Sequence, residues 1–308
     1  MNLRELQSKL DTQEKCLTFI EKLRWPDGIR CMTCGCDRIS RIKSSSKKQT
    51  VRYIFECLEP TCRQQFTVTS GTIMHDTHLS LQTWLCAIAL VTQAKKGISG
   101  YQLQRNLGLG SYKTAWYLLH RIRESMKSGG RSPMAGILEI DETYIGGKKK
   151  GQGVYTGKKS KTAVMGIIRR DGDLRLLGTG TPTVKGKVAE AFIKENVSPT
   201  AEMVCTDESS LYPLALAHIG ERHQTVVHSR REFARLGGVH TNSIENVFSL
   251  LKRGIIGNFH WVSVKHLPRY LGEFEFRFNR RHDPNLFTDT VTAVARKEAM
   301  SFAELTKN

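Results

Sequence analysis

Three acidic residues in the second half of the sequence stand at positions suited to binding divalent metal ions. Asp141 lies within the apolar-flanked stretch Ile137–Ile145, and Asp207 follows the apolar stretch Met203–Thr206. Glu245 lies in a segment that we expect to be helical. Two-metal phosphoryl transfer needs acidic side chains that converge from different elements on two divalent ions about 3.5–4 Å apart. The pattern therefore favours a site for two Mg²⁺ or Mn²⁺ ions.

Each of these acids also has an ordinary structural explanation. Asp141 could pair with a basic side chain, and Asp207 could cap a helix that begins near Ser210. Glu245 could be a first-turn residue that the helix dipole favours. The catalytic interpretation gains support because all three acids stand at suitable places in one order of elements. Lys252 follows Glu245 by seven residues, two turns along the same helix face.

Four of the eight cysteines form two closely spaced pairs. Two residues separate Cys31 from Cys34, and four separate Cys57 from Cys62. Two turns that carry paired thiolates are what a tetrahedral zinc site of four cysteines requires, so the spacing predicts a structural Zn²⁺ ion in a small ribbon. Cys36 is a less suitable alternative ligand because it follows Cys34 too closely. We expect the other cysteines to pack as small apolar residues: Cys16, Cys86 and Cys205.

The composition indicates a globular protein that binds polyanions. The 308 residues, roughly two domains in length, include 47 Lys and Arg against 29 Asp and Glu, a net charge of +18. Such a balance is typical of nucleic-acid binding, with a merely soluble basic protein as the alternative. The longest apolar run, Trp84–Val91, is far shorter than the about 20 residues of a membrane span. Because the first residues are charged and carry no apolar signal segment, we expect a cytoplasmic protein without a membrane partner.

The pattern predicts an α+β multi-domain protein. Its expected segments are an N-terminal helical segment at 1–28, a zinc ribbon at 29–72, a helical region at 73–130, an α/β domain at 134–282 and a C-terminal helical tail at 283–308. In the helical region, a short helix, a turn near Gly108 and a longer helix resemble a helix-turn-helix, whose last helix enters a major groove. That helix carries Lys113, Arg121 and Arg123 as expected DNA contacts, and three packed helices without DNA contact are the alternative.

The predicted element order after residue 134 is β-β-β-α-β-α-β-α. This order is that of an RNase H-like fold, although order alone leaves a few other topologies open. Between the first two strands, the segment 146–161 is too rich in Lys and Gly to build a core. We expect it to contact DNA phosphates, with a solvated basic loop as the alternative. Its expected DNA-binding residues are Lys148, Lys149, Lys150, Lys158 and Lys159.

Ordered blocks over residues 10–282 resemble the DDE transposases of bacterial insertion sequences, specifically the ISXO2-like group with an N-terminal zinc ribbon. Besides the cysteine pairs, the blocks include Glu139-Ile140-Asp141-Glu142-Thr143-Tyr144, Thr206-Asp207, His240-Thr241-Asn242-Ser243-Ile244-Glu245, and Ser249-Leu250-Leu251-Lys252-Arg253-Gly254. The resemblance implies an enzyme that recognises the terminal inverted repeats of its element, cleaves the DNA to free 3′ hydroxyls, and joins those ends to target DNA.

The resemblance also implies roles for residues. Asp141, Asp207 and Glu245 become ligands of two Mg²⁺ or Mn²⁺ ions, and Asn242 orients or replaces Glu245 because members of the group vary at this third position. Lys252 contacts the DNA backbone, and the neighbouring Arg253 is a further expected DNA contact. The implied partner is double-stranded DNA, bound by a homo-oligomer associated with the bacterial nucleoid. Two alternatives remain: a non-catalytic DNA-binding regulator, which would have lost an acid, and an RNase H-like nuclease without strand transfer.

Overall fold

The computed structural model describes residues 3–45, 51–127, 131–146, 161–170, 172–227 and 234–306. The chain forms two compact units. We call them the helical unit, Met1–Met126 with His282–Asn308, and the sheet unit, Lys127–Arg281. In the described ranges, the helices are too short or too polar to cross a bilayer.

The N-terminal part of the helical unit combines a small sheet with helices. Its elements are α1 (Leu3–Lys9), α2 (Gln13–Arg24), β1 (Ile39–Ser45), β2 (Val51–Cys57), β3 (Gln65–Phe66), α3 (Leu81–Gln93), α4 (Gly100–Leu107) and α5 (Tyr112–Ser125). The three strands form an antiparallel sheet in the order β1-β2-β3. Behind it, Trp25 makes edge contacts with Phe55 and Phe66, at centroid distances of 5.6 and 6.0 Å. These rings supply the small core that a three-stranded ribbon needs.

Helices α3, α4 and α5 each begin after a serine that caps the helix. The hydroxyls of Ser80, Ser99 and Ser111 each accept a hydrogen bond from the amide three residues later. Helix α4 ends at Gly108, whose φ of 60° is the left-handed conformation that glycine adopts without a side-chain clash. The short helix, tight turn and longer helix predicted from the sequence are therefore present.

The sheet unit has five strands and follows the predicted order of elements. These are β4 (Ile137–Ile145), β5 (Thr162–Arg169), β6 (Leu174–Gly178), α6 (Gly186–Asn196), β7 (Met203–Thr206), α7 (Tyr212–Ala215), β8 (His223–Thr225), α8 (Asn242–Gly254) and α9 (Leu267–Asn279). The strands lie in the order β6-β5-β4-β7-β8. β4, β5 and β6 are antiparallel neighbours, whereas β7 and β8 run parallel to β4.

Both faces of this sheet are covered. Leu138 and Ile140 of β4 pack in one core with Ile193 of α6 and Tyr212 of α7. On the opposite face, residues of α8 and α9 form two smaller cores with β5 and β6. Because successive side chains of a strand alternate between faces, the residues between the apolar positions of β4 point towards α8. These residues include Glu139 and Asp141.

Helix α8 lies close to the sheet because β5 has a glycine beneath it. Gly166 pairs with Asp141 across the β4–β5 register. A methyl group at Gly166 would come within 2.8 Å of Ile244 and 2.9 Å of Phe248, which are both buried residues of α8. The missing side chain therefore sets how near the helix comes to the acidic face of β4.

The C-terminal segment belongs to the helical unit. It contains α10 (Leu286–Arg296) and α11 (Phe302–Thr306). Phe287 of α10 stacks on Phe19 of α2 at a centroid distance of 6.2 Å, and Arg296 donates a hydrogen bond of 3.1 Å to the carbonyl of Leu23. The predicted helical tail at 283–308 contains these two helices, and α10 packs against α2 and α3, because its apolar face needs distant partners.

Replacing Gly166 with alanine tests the close packing of α8. The added methyl group must displace Ile244 and Phe248, so we expect Gly166→Ala to lower the free energy of unfolding by about 1–3 kcal/mol. Urea denaturation measures this change. Gly186→Ala is the matched control, because a methyl group there meets no atom within 4 Å. Equal stability of the two variants would contradict the packing argument.

Candidate functional site

Asp141 and Asp207 occupy matching positions on neighbouring parallel strands. β4 pairs with β7 so that Glu139 stands beside Cys205. Two residues further along each chain, the same register brings Asp141 beside Asp207, which directly follows β7. Since the side-chain period of a strand is two residues, Asp141 extends from the sheet face that α8 covers. Asp207 lies one residue past β7, and its charge contributes to the raised pKa of Asp141. Strand register therefore supports the prediction that these two acids converge.

The environment of Asp141 disfavours a negative charge. Burial raises the pKa of Asp141 to about 7, and the charges of Asp207, Glu142 and Glu245 contribute to the rise. A hydrogen bond of 2.7 Å from the Glu142 amide to Oδ1 opposes this effect only partly. Asp207 accepts a comparable bond of 3.0 Å from the amide of Ser209. Carboxylates held together in this way fit the oxygen-donor chemistry of Mg²⁺ or Mn²⁺, because a cation offsets their repulsion.

Helix α8 supplies the third predicted acid. Glu245 lies in its first turn, is exposed, and accepts a hydrogen bond of 3.0 Å from the hydroxyl of Thr241. Its charge is the smallest of the named contributions to the raised pKa of Asp141. Asn242 is the first residue of α8 and is also exposed, three residues before Glu245 and on the same face. The fold thus brings both residues predicted for the third position to this face of the helix.

Glu142 directly follows Asp141 and is an additional acid, to which the sequence pattern assigns no metal-binding role. The hydroxyl of Tyr212, a fully buried residue of α7, donates a hydrogen bond to Oε2 of Glu142. Burial raises the pKa of Glu142, against the effect of this bond, and the charge of Asp207 raises it further. In the sequence, only its position next to Asp141 hints at a role in the site. The contact with Tyr212 of α7, which the sequence does not show, is what marks it as part of the site.

The four paired cysteines form a compact group. Their four sulfur atoms all lie within 4.8 Å of one another. Among the described residues, no other group of three or more His, Cys, Asp or Glu side chains has its possible ligand atoms this close together. The sulfurs of Cys31 and Cys62 are 3.6 Å apart, and those of Cys34 and Cys57 are 3.5 Å apart. Tetrahedral Zn²⁺ with bonds of about 2.3 Å separates sulfurs by about 3.8 Å, so the group fits this ion.

The thiols of this group differ in acidity. Burial opposes ionisation of Cys31, but hydrogen bonds from the amides of Cys34 and Thr33 and from neighbouring thiols outweigh it, and the pKa falls to about 6. Burial raises the pKa of the Cys57 thiol to about 12. Cys36, the less suitable alternative, lies outside the group, as its spacing predicts. These observations support one structural zinc ion, bound by the four cysteines of the two pairs.

Two of the predicted DNA contacts need correction. Arg121 and Arg123 of α5 are 5% and 1% exposed, so their guanidinium groups lie inside the helical unit. Arg121 donates to the carbonyl of His75 over 2.9 Å and stacks near the ring of Trp84, and Arg123 donates to the carbonyl of Ile98 over 3.4 Å. They cannot reach DNA from these positions. A basic residue on an amphipathic helix can be buried when its charge binds backbone carbonyls. The residue type alone does not show whether such a residue is buried or exposed.

The remaining predicted cations are either exposed or outside the described residues. Lys113 of α5 is exposed, with its ammonium group 4.9 Å from the centre of the Phe302 ring. Lys252 and Arg253 are exposed near the end of α8, and Lys252 lies about 10 Å along the helix axis from Glu245. The predicted contacts of the Lys-rich segment lie outside the described residues: Lys148, Lys149, Lys150, Lys158 and Lys159.

Two family models match this chain. Residues 133–279 match the ISXO2-like transposase domain, and residues 11–65 match the transposase zinc-ribbon domain. A comparison with curated proteins finds no match. The first range contains Asp141, Asp207 and Glu245, and the second contains the four clustered cysteines.

Zinc content tests the cysteine site. We expect about one zinc ion per chain in the purified protein, and loss of that ion in Cys57→Ser because three thiolates bind Zn²⁺ far more weakly than four. Elemental analysis by mass spectrometry measures the metal. Cys36→Ser is the matched control and should retain zinc, since Cys36 is outside the group. If Cys36→Ser loses the ion and Cys57→Ser keeps it, the ligand assignment is wrong.

Neutralising Asp141 should stabilise the protein when divalent ions are absent. At pH 8, in buffer without Mg²⁺ or Mn²⁺, we expect Asp141→Asn to raise the free energy of unfolding by about 1–3 kcal/mol, because the buried charge is removed. The folded-state pKa of about 7 exceeds the ordinary value of 3.8. Wild-type stability therefore declines as the pH rises from 3.8 towards 7.

Thermal melts at several pH values measure this difference, which should vanish below pH 3.8, where wild-type Asp141 is also neutral. Glu202→Gln is the control, because Glu202 is exposed just before β7 and its neutralisation should change stability by less than about 0.5 kcal/mol. A less stable Asp141→Asn protein at pH 8 would show that the carboxylates do not repel one another.

Proposed function

The chain belongs to the ISXO2-like transposases that carry an N-terminal zinc ribbon, and we propose that it binds the terminal inverted repeats of an insertion sequence. It then cleaves the DNA at those ends and joins the freed 3′ hydroxyls to target DNA. The observation that carries this proposal is the matched register of Asp141 and Asp207 on the sheet face covered by the helix that bears Glu245.

The order of strands supports an RNase H-like fold for the sheet unit. Three antiparallel strands are followed by two strands parallel to the first, with helices on both faces of the sheet. The two acids lie on adjacent strands of this sheet, and the third acid lies on the helix that follows the last strand. A fold of this type supplies positions for acidic residues, so the chemistry rests on the residues themselves and not on the topology.

Asp141, Asp207 and Glu245 would hold two Mg²⁺ or Mn²⁺ ions. When bound, such a pair of ions stabilises negative charge on the attacking and leaving oxygens of a phosphodiester. The chain's own carboxylates contribute position: Asp141 within β4 and Asp207 after β7 each accept a hydrogen bond from a backbone amide, and Glu245 accepts one from Thr241. No side-chain nucleophile is required, because water and then a 3′ hydroxyl attack the phosphorus.

We assign the third position to Glu245 and not to Asn242. Burial is the main cause of the raised pKa of Asp141, and the charge of Glu245 adds a small contribution to it. An anionic carboxylate also binds a hard divalent cation more strongly than a neutral amide does. Asn242, one turn earlier on the same helix face, would orient the ligand or contact the substrate.

Exposed cations of both units would bind the DNA backbone. Lys252 and Arg253 follow Glu245 on α8, so a strand held at the acids would extend along this helix. In the helical unit, α4 and α5 would act as a helix-turn-helix that presents Lys113. The net charge of +18 favours binding that weakens steeply with salt. Because two element ends must be joined in one reaction, the active form would be a homo-oligomer on DNA.

Cleavage of labelled element ends tests the proposal. With Mg²⁺ or Mn²⁺, we expect purified protein to nick the ends, and Asp207→Asn and Glu245→Gln to lower the rate by about 10³-fold because a metal ligand is lost. Both variants should bind the DNA as wild type does in a gel-shift assay. Asn246→Ala, an exposed neighbour of Glu245, is the control and should cleave normally.

Unchanged cleavage by Asp207→Asn would overturn the assignment of the acids. Absence of cleavage in the wild type, together with specific binding of the ends, would favour a DNA-binding regulator. Addition of unlabelled target DNA distinguishes transposase from nuclease, because only strand transfer gives joined products longer than the labelled substrate.

A further inference from the structure

Glu139 is a fully buried carboxylate on the acidic face of β4. It has 0% exposure and precedes Asp141 by two residues, so both side chains lie on the same face of the strand. Burying a carboxylate is costly unless charge and hydrogen bonds compensate it. The contacts of Glu139 therefore show what the fold gains from keeping it there.

Both oxygens of Glu139 are surrounded by donors. Four hydrogen bonds reach it: from Arg170 Nε at 2.7 Å and Ser243 Oγ at 2.9 Å to Oε1, and from the amides of Ser243 at 2.8 Å and Ile244 at 3.0 Å to Oε2. A fifth contact, His240 Nδ1 at 3.2 Å from Oε1, is a close approach without a hydrogen bond. A carboxylate has about four lone-pair sites, and the four hydrogen bonds occupy them, so Glu139 has no lone pair left for a metal ion. Its partners belong instead to the start of α8.

Glu139 replaces the cap that α8 lacks. The residue before the helix, Thr241, makes no side-chain hydrogen bond to the first amides. The amides of Ser243 and Ile244, the second and third residues of α8, donate to Glu139 instead. A carboxylate at a helix N-terminus is favoured by the unpaired amides and by the helix dipole. The cap thus comes from a strand about one hundred residues earlier in the chain.

Arg170 offsets the negative charge of Glu139 and links Glu139 to other elements. Its guanidinium donates to Glu139, to the carbonyl of His240 over 3.1 Å, and to the sulfur of Cys205 over 3.7 Å. Cys205 lies in β7, two residues before Asp207. The same buried network therefore connects β4, β7 and the start of α8, which are the three elements that carry the acids.

We propose that Glu139 is the positioning residue that holds the third acid of the metal site against the two strand acids. This inference rests on the proposed function of Asp141, Asp207 and Glu245. Glu245 lies two residues after Ser243, whose amide and hydroxyl both bind Glu139. A small shift of the helix start moves Glu245 relative to Asp141, because Glu139 and Asp141 belong to one rigid strand.

The sheet unit contains a matched control. Glu275 of α9 is 9% exposed, accepts a hydrogen bond of 2.8 Å from Arg131, and accepts another of 2.9 Å from the amide of Leu176. It is therefore a second buried glutamate with an arginine partner and a backbone amide. It lies on an element that carries none of the three acids. If Glu139 had only a structural role, Glu139→Gln and Glu275→Gln would have similar effects on the Mn²⁺ midpoint.

The experiment titrates Mn²⁺ into each purified protein and follows the melting temperature, without DNA. In the absence of Mn²⁺, we expect Glu139→Gln to melt several degrees below wild type, because its hydrogen-bond donors lose a carboxylate partner. Burial raises the pKa of Glu275, so we expect Glu275→Gln to change the melting temperature less. Only Glu139→Gln should need about 10-fold more Mn²⁺ for half of the metal-induced rise, because residues that orient metal ligands contribute about 10–100-fold to affinity. Ser243→Ala removes one of the five contacts and should fold normally, with a smaller shift in the same direction.

Cleavage assays then give the Mn²⁺ concentration for half-maximal rate, and we expect the same ranking of variants. Equal Mn²⁺ midpoints for wild type, Glu139→Gln and Ser243→Ala would overturn the positioning role. If Glu139→Gln does not fold, Ser243→Ala provides the test. A raised Mn²⁺ midpoint supports the positioning role, and an unchanged midpoint overturns it. Failure of the proposed function is distinguishable, because Asp207→Asn would then have the same Mn²⁺ midpoint as wild type, and the inference would fall with it.

Discussion

The burial of carboxylates along one face of strand β4 is the interaction on which the sheet unit depends. Leu138 and Ile140 face an apolar core, whereas Glu139 and Asp141 face helix α8. Buried carboxylates need compensation, and the two receive it differently. Glu139 is surrounded by donors from the protein. Asp141 receives one amide, so burial, with a contribution from the neighbouring acids, raises its pKa to about 7.

This difference assigns separate tasks to two neighbouring residues. The compensated carboxylate at 139 stabilises the junction between strand and helix, and the poorly compensated one at 141 favours a cation. The close approach of α8 depends on both Glu139 and Gly166, since the first binds the helix start and the second leaves room for Ile244 and Phe248. Polar anchoring and tight packing therefore act on the same helix, which also bears Glu245.

The helical unit depends on a different kind of constraint. Its ribbon has a small aromatic core around Trp25 and a compact group of four thiols, so a zinc ion bound there would supply much of its stability. The unit also buries basic residues: Arg121 and Arg123 bind carbonyl groups. The net charge of +18 therefore includes two arginines of α5 whose charge is not available at the surface. Lys113 of the same helix is exposed.

Much of the fold and the cysteine site could be predicted from the sequence alone. The two cysteine pairs and the order of strands and helices follow from spacing rules that act over a few residues. The acids at 141 and 207 were recognisable because each interrupts or ends an apolar strand. These features are local, and a local pattern in the sequence is sufficient to specify them.

Other features were decided only by the tertiary structure. The cap of α8 comes from Glu139 in a distant strand, the C-terminal segment packs on α2, and two arginines of α5 are buried. None of these has a local signature, because the sequence gives residue types and short-range periodicity but not the distant group that each side chain meets. Burial and pairing depend on partners brought together by the fold, and so does the role of a charged residue.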